Sequence, residues 1–253
     1  VKAKGRPVAP DEIFANPRLA QIQDHLDGDR GDLDAYIAIV REFGARSVLD
    51  VGCGTGTFAC LLAKAGTRVI GVDPAAASLD VARGKPGADR VRWVLGDATM
   101  LPVVAVDMAT MTGNVAQVFV DDADWLATLA GVRTALGPSG RLVFEVRDPS
   151  RRSWEHWTRA RSFARTQVPD VGAVESWVEV TEVALPLVSF RWTYRFEKDG
   201  AVLTSDSTLR FREKHEIEAS LSQTGFDVLE VRDTPDRPGL EFVFVATPAR
   251  SGV

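Results

Sequence analysis

The run Val48-Leu49-Asp50-Val51-Gly52-Cys53-Gly54-Thr55-Gly56-Thr57-Phe58 carries an apolar strand into a helix through three glycines at alternate positions. Glycine there removes Cβ atoms from a tight turn and admits positive φ. The bare backbone can lie against a bulky ligand while the amides of the helix start point at it. That chemistry suits a nucleotide-like cofactor. Its kind follows from the spacing. The dinucleotide fingerprint G-x-G-x-x-G would put its third glycine at position 57, where this chain has Thr57; the glycine sits at Gly56 instead. Two later apolar runs also end in acids, Arg68-Val69-Ile70-Gly71-Val72-Asp73 and Val91-Arg92-Trp93-Val94-Leu95-Gly96-Asp97-Ala98.

These three segments, in this order, resemble the cofactor motifs of the class I S-adenosylmethionine (SAM)-dependent methyltransferases, with D-V-G-C-G-T-G as motif I. The resemblance implies a binding set of Asp50, Gly52, Cys53, Gly54, Gly56, Asp73, Pro74, Asp97, Ala98, Gly113 and Asn114. In such a set Asp73 accepts from both ribose hydroxyls, a charge-assisted bidentate contact. Asp97 meets the adenine amino group, and the backbone N–H of Ala98 reaches the ring. Asp50 lies near the methionine amino group. It can equally organise the turn, whose free N–H groups surround it. Asp73 can cap the helix that begins at Pro74, a good first-turn residue, and Asp97 can be a turn aspartate. Cys53 and Cys60 read as small packing residues. SAM supplies an electrophilic methyl, so proximity, orientation and exclusion of water provide most of the acceleration.

A general base is harder to name. Catalytic residues in this family tend to follow the fourth strand, here Met111 to Phe119. That stretch lacks the N/D-P-P-Y/F motif of amide and exocyclic-base methylation, which argues against DNA adenine or protein glutamine as acceptor. Asn114, His156 and Tyr36 are the candidates, each with an ordinary structural reading beside it. Gln117 is either an orienting residue or a polar helix-start residue. Arg151, Arg152, Arg159, Arg161 and Arg165 would suit an anionic substrate or form a solvated face.

The positioning elements are a Rossmann-like α/β fold: a seven-stranded, mostly parallel sheet with helices on both faces. The resemblance puts the last strand antiparallel at the sheet edge. Residues 1–45 form a helical cover, with helices at Arg18–His25 and from Asp32 onward. Residues 11–40 either close as a lid or pack on the sheet. Residues 46–150 form the SAM-binding core. Within it, Phe58, Leu61, Leu62 and Ala65 share the buried side of one helix, and Gly137-Pro138-Ser139-Gly140 turns into strand five. Residues 151–212 are an inserted substrate or lid region holding a three-stranded antiparallel meander. In it Val188, Phe190, Trp192, Tyr194 and Phe196 alternate with polar residues. Residues 213–253 complete the sheet. Insertion at this point is similar to that of small-molecule methyltransferases, including sugar N-methyltransferases, where it shapes the substrate pocket or a dimer contact.

A net charge of −5 argues against nonspecific nucleic-acid binding. No apolar run reaches membrane-spanning length, and no hydrophobic stretch follows the basic start, so a cytoplasmic protein is expected. Two cysteines make neither a metal set nor a disulfide scaffold. The expected activity is methyl transfer to nitrogen or oxygen of a small molecule, leaving S-adenosylhomocysteine (SAH), with a homodimer as one candidate assembly. The alternatives are a nicotinamide-dependent oxidoreductase and a non-catalytic SAM-binding protein.

Overall fold

The computed structural model describes residues 9–97 and 104–249. Three helices lead: α1 (Glu12–Ala15), α2 (Pro17–Asp27) and α3 (Leu33–Glu42). Asn16 starts α2 by accepting the Arg18 N–H at 3.0 Å, with Pro17 in the first turn. Strand–helix alternation follows: β1 (Ser47–Val51), α4 (Thr57–Lys64), β2 (Arg68–Asp73), α5 (Ala76–Arg83), β3 (Val91–Leu95), β4 (Val106–Met111), α6 (Asp122–Ala135) and β5 (Leu136–Arg147). A short helix, α7 (Arg159–Ser162), then opens a second sheet of β6 (Ala164–Val168), β7 (Gly172–Ala184), β8 (Leu187–Phe196) and β9 (Val202–Arg210). The chain returns through α8 (Lys214–Gln223), β10 (Phe226–Asp233) and β11 (Glu241–Pro248).

The large sheet has the order β10-β11-β5-β4-β1-β2-β3, with only β11 antiparallel to its neighbours. β1 pairs with β2 on one side and β4 on the other, so strand order reverses beside it. Ligand crevices of open α/β sheets form at that point, beyond the carboxyl ends of the strands. Each sheet face has its own core. Trp125, Leu129 and Val132 of α6 and Ile217 and Leu221 of α8 pack on Leu142, Phe144 and Phe244. Leu33, Tyr36 and Val40 of α3 and Phe58 and Leu62 of α4 cover Val48, Met108, Val143 and Val245.

Several expectations need correction. The inserted sheet has four strands. β6 pairs antiparallel with β7, yet its Ala164-Arg165-Thr166-Gln167-Val168 sequence buries only Val168 and so carries no apolar alternation. β11 is an interior strand and β10 is the edge. Val243 to Ala246 are four consecutive buried residues, the signature of a strand covered on both faces. Gly137 to Gly140 is an irregularity inside β5, where the pairing to β4 shifts register. In α4 Leu61 is exposed, and Ala59, Cys60 and Ala63 share the buried side with Phe58 and Leu62.

Leu19 and Ile22 of α2 pack against Val174, Tyr194 and Phe196 of the second sheet. The hydroxyl of Ser78 on α5 donates to the Phe14 carbonyl at 3.0 Å. The leading helices therefore bridge the two sheets. A fourth cluster, Trp154 with Val188, Leu209 and Phe211, joins the segment after β5 to the second sheet.

Candidate cofactor and acceptor site

Side-chain alternation sets the polar groups of the site. The face of the large sheet that buries Val48, Met108 and Val143 continues, two residues further along each strand, as Asp50, Thr110 and Glu145. Arg147 follows on the same face of β5, directly opposite Glu241 of β11. A strip of polar and ionisable groups thus crosses the carboxyl ends of β1, β4 and β5. Beside it opens a cavity of about 700 Å³, whose lining includes Gly52, Gly54, Gly113, Asn114, Arg147 and Arg237. Small-molecule sites fall in this size range. Arg30, held by both oxygens of Asp32 at 2.9 Å, borders it from the α2–α3 loop.

The glycine loop runs at positive φ, with Gly52 at 70°, Gly54 at 53° and Gly56 at 77°. The reasons differ by position. A Cβ on Gly56 would overlap the Trp93 ring and lie 2.8 Å from the Ala82 methyl. At Gly54 nothing lies within 4 Å of that position, and the residue lines the cavity. Gly54 therefore leaves a cradle that a side chain would fill.

Asp73 fixes this loop. Its Oδ2 accepts the Gly54 N–H and its Oδ1 the Ala75 N–H, both at 2.8 Å. Burial pushes its carboxyl above the ordinary value, opposed by those two donors. Each oxygen keeps a further acceptor site for a ligand donor. Burial also pushes Asp50 up to about 7, the Thr110 hydroxyl at 3.0 Å opposing and Asp73 adding to the rise. α2 clamps the loop from outside. Asp24 accepts from the Thr55 hydroxyl and pairs with Lys85, both at 2.6 Å. Burial raises Asp24, but hydrogen bonds from Lys85, Thr55 and Thr57 outweigh it and leave its pKa lowered. Thr57, where a dinucleotide site would have glycine, accepts from Lys85 at 2.7 Å.

The structure brings Asp50, Gly52, Cys53, Gly54, Gly113 and Asn114 together around the cavity. Asp73 and Gly56 support it from behind through the contacts above. Pro74 is exposed and Asp97 half-buried just past β3. Ala98 lies outside the described residues. Asn114 is buried at φ 62°. His156 is exposed, its ring bonded to Arg161, and does not line the cavity. Tyr36 packs edge-on against Phe58 in the α3–α4 core. Neither reaches the crevice, because one faces solvent and the other the sheet. The five arginines after β5 are exposed, with Arg152 and Arg165 paired to Glu155 and Glu197. Gln117 is buried and bridges: its Oε1 accepts from Arg147 at 3.1 Å and its Nε2 donates to the Arg210 carbonyl at 3.3 Å.

Sequence reasoning missed Glu145, Arg147, Arg237 and Glu241. Glu145 Oε1 accepts the Gly113 and Asn114 N–H groups at 2.6 and 3.0 Å, holding the turn after β4. Burial pushes its carboxyl up to about 7, and Glu241 adds to the rise. Glu241 Oε1 accepts from Arg237 at 2.8 Å and from Asn114 at 3.2 Å. Burial lowers the Arg147 pKa, with Glu241 opposing. The available signal was ionisable residues ending an apolar run, Leu142-Val143-Phe144-Glu145-Val146-Arg147.

Residues 48–140, from β1 through the start of β5, match the family model described as a methyltransferase domain. Over residues 48–140 the chain carries a methyltransferase domain. Among curated relatives, a cypemycin N-terminal methyltransferase of Streptomyces sp is 33% identical over 153 residues, 60% of this chain and 60% of that protein. The match thus spans under two thirds of that relative's length. Among solved structures, the CcbJ methyltransferase of Streptomyces caelestis superposes with a TM-score of 0.72 at 21% identity, covering 91% of this chain and 97% of that one. SAM-bound CalS10, an amino pentose methyltransferase of Micromonospora echinaspora, gives 0.66 at 21% identity, covering 88% and 94%. These structural likenesses extend the methyltransferase fold over both sheets. The residues present in this methyltransferase domain fit SAM: the Gly54 cradle is open and the Asp73 carboxylate stands behind it. Among the described residues no helix is long and apolar enough to cross a membrane, and no group of three or more His, Cys, Asp or Glu side chains could hold a metal ion.

Proposed function

We propose that this chain transfers the methyl group of SAM to a nitrogen or oxygen of a small-molecule acceptor, leaving SAH. The observation that carries the reading is the Gly54 backbone, bare on its cavity side and anchored by Asp73. SAM supplies a methyl carbon activated by the adjacent sulfonium. Asp73 and the Gly52–Gly56 loop would hold the nucleoside. Asp97 and Ala98 would meet the adenine, and Asp50, Gly113 and Asn114 the amino-acid end. A fully buried Asp50 is well placed to organise that end, since any charge it carries there is poorly screened.

The chain's contribution is then positional. The leading helices and the loop between α2 and α3 wall the crevice, and Arg30, Arg147 and Arg237 line it. In a site of this type orientation contributes more than proton transfer. Relatives named for an amino pentose and for the N-terminus of cypemycin support a small polar acceptor. The test is turnover: SAH release is followed over a panel of amine, alcohol and acid acceptors. Release that depends on one acceptor class supports the reading. SAM binding without release on any class would mark a non-catalytic binder.

A further inference from the structure

At the amino end of the large sheet, opposite the crevice, a groove of about 640 Å³ opens between α3 and α4. Ile37 and Val40 of α3 and Leu62 of α4 give it an apolar floor. Arg41, Arg46 and Arg68 also line it, all three exposed, and no aspartate or glutamate does. Among the described residues none of these guanidinium groups makes a hydrogen bond or an ion pair. The neighbouring acids are engaged elsewhere. Glu42 accepts two bonds from Arg232, both at 2.7 Å. Asp107 Oδ2 accepts the Arg46 and Ser47 N–H groups and the Ser47 hydroxyl at 2.9, 3.0 and 2.9 Å, and Arg68 acts on it only at a distance. The backbone sets two of the cations side by side, the Arg68 N–H donating to the Arg46 carbonyl at 3.0 Å where β1 and β2 begin. Like charges on adjacent strands repel.

Helix capping does not account for all three. A cation in the last turn of a helix complements its carbonyl end, which explains Arg41. Arg46 and Arg68 lie outside α3 and α4. The carbonyls there are bonded by backbone instead: Val40 and Arg41 by the Ala45 and Gly44 N–H groups at 3.0 Å, Leu62 and Ala63 by those of Thr67 and Gly66 at 3.1 Å. A chain of net charge −5 thus keeps three unpaired cations around one concave apolar surface. We propose that this groove binds a small amphipathic anion, an apolar chain carrying one carboxylate. The carboxylate meets the arginines, whose planar guanidinium groups match its two oxygens. The chain lies on Ile37, Val40 and Leu62, and its burial adds the apolar part of the affinity. Bound charge also relieves the repulsion between Arg46 and Arg68. The groove has the volume of a small-molecule site. It stands independently of the methyltransferase reading, since Gly52 and Asp73 lie at the other ends of β1 and β2.

Octanoate is the probe, with acetate, octanol and octylamine as controls for the head, the chain and the sign of the charge. Binding is measured by ligand-observed NMR titration, with and without SAH. Octanoate should bind roughly tenfold or more tighter than each control in both conditions. The triple variant Arg41→Gln, Arg46→Gln, Arg68→Gln changes only exposed side chains. It should lose about tenfold or more in octanoate affinity while SAH affinity stays within about twofold. Ala65→Trp fills the groove from its exposed rim and should weaken octanoate with every charge in place. If that variant does not fold, the triple variant decides. Equal binding of octanol or octylamine would reduce the groove to an apolar surface, and equal binding of acetate to a general anion site; either overturns the proposal. So would absent octanoate binding, undiminished binding in the folded variants, or displacement of octanoate by SAH, which would put it in the crevice. Cosedimentation with phosphatidylglycerol vesicles without octanoate binding would make this face a membrane contact instead. Failure to bind SAH would remove the methyltransferase reading and leave the groove untouched.

Discussion

Alanine substitution at two neighbouring glycines separates a ligand cradle from a packing constraint. Gly54 and Gly56 both hold positive φ, so alanine costs each about 1–2 kcal/mol of backbone strain. The surroundings then differ. The new methyl at Gly54 meets nothing within 4 Å, whereas at Gly56 it collides with Trp93 and Ala82. Overpacking of that kind costs a further 1–3 kcal/mol or so. At roughly 2–4 °C per kcal/mol for a chain of this size, Gly56→Ala should melt about 2–12 °C below Gly54→Ala. Ligand binding should show the opposite order. A methyl in the Gly54 cradle imposes its overpacking on the cofactor, weakening SAH by roughly 5- to 150-fold. Gly56→Ala, assayed at low temperature where it is folded, should lose less. Scanning fluorimetry and calorimetric titration with SAH measure the two effects. Undiminished SAH affinity in Gly54→Ala would show that the cofactor does not lie against this loop.

Three further outcomes are expected. Asp73→Asn replaces one acceptor with an amide that faces a backbone N–H, so SAH affinity should fall at least tenfold and Tm should drop with it, since Asp73 holds Gly54 and Ala75. Unchanged affinity by calorimetry would take Asp73 out of the site. Glu145 is raised from 4.5 to about 7 on folding, so the unfolded chain gives up this proton first. Its contribution to stability is complete below pH 4.5 and declines as pH rises to about 7, by on the order of 3 kcal/mol in total. Urea unfolding at pH 5 and pH 8 should therefore show the native chain losing stability relative to Glu145→Gln; parallel behaviour would refute a buried carboxyl with a raised pKa. Asp24→Ala removes the acceptor shared by Thr55 and Lys85, a partly exposed cluster for which a loss of about 1 kcal/mol is expected. Limited proteolysis should then cut near α1 and α2 sooner, and an unchanged cleavage rate would mean that α2 is anchored by its apolar face alone.

The cofactor half of the site was legible because its constraints are local. A glycine turn between a strand and a helix, followed by strands ending in Asp73 and Asp97, leaves a linear trace. The parallel sheet was legible for the same reason, each strand–helix pair showing its own periodicity. The charged groups along β5 and β11 are placed differently. Glu145, Arg147 and Glu241 become neighbours only when β11 inserts antiparallel beside β5, and Asn114 joins them across the turn after β4. Nothing local in the sequence records that pairing. β6 escaped notice because both its faces are largely wet. His156 drew attention by its place after strand five, and of its two readings the surface one is what the structure shows. Tyr36 was chosen from the amphipathic face of its helix, and that face turned toward the sheet.

Calorimetric titration of the purified chain with SAM, SAH and NADH tests the central claim most directly. Saturable binding of SAM and SAH at one site, with no heat from NADH, is the predicted result. Binding of NADH, or no binding of SAM or SAH, would contradict a methyltransferase site at the Gly52–Gly56 loop.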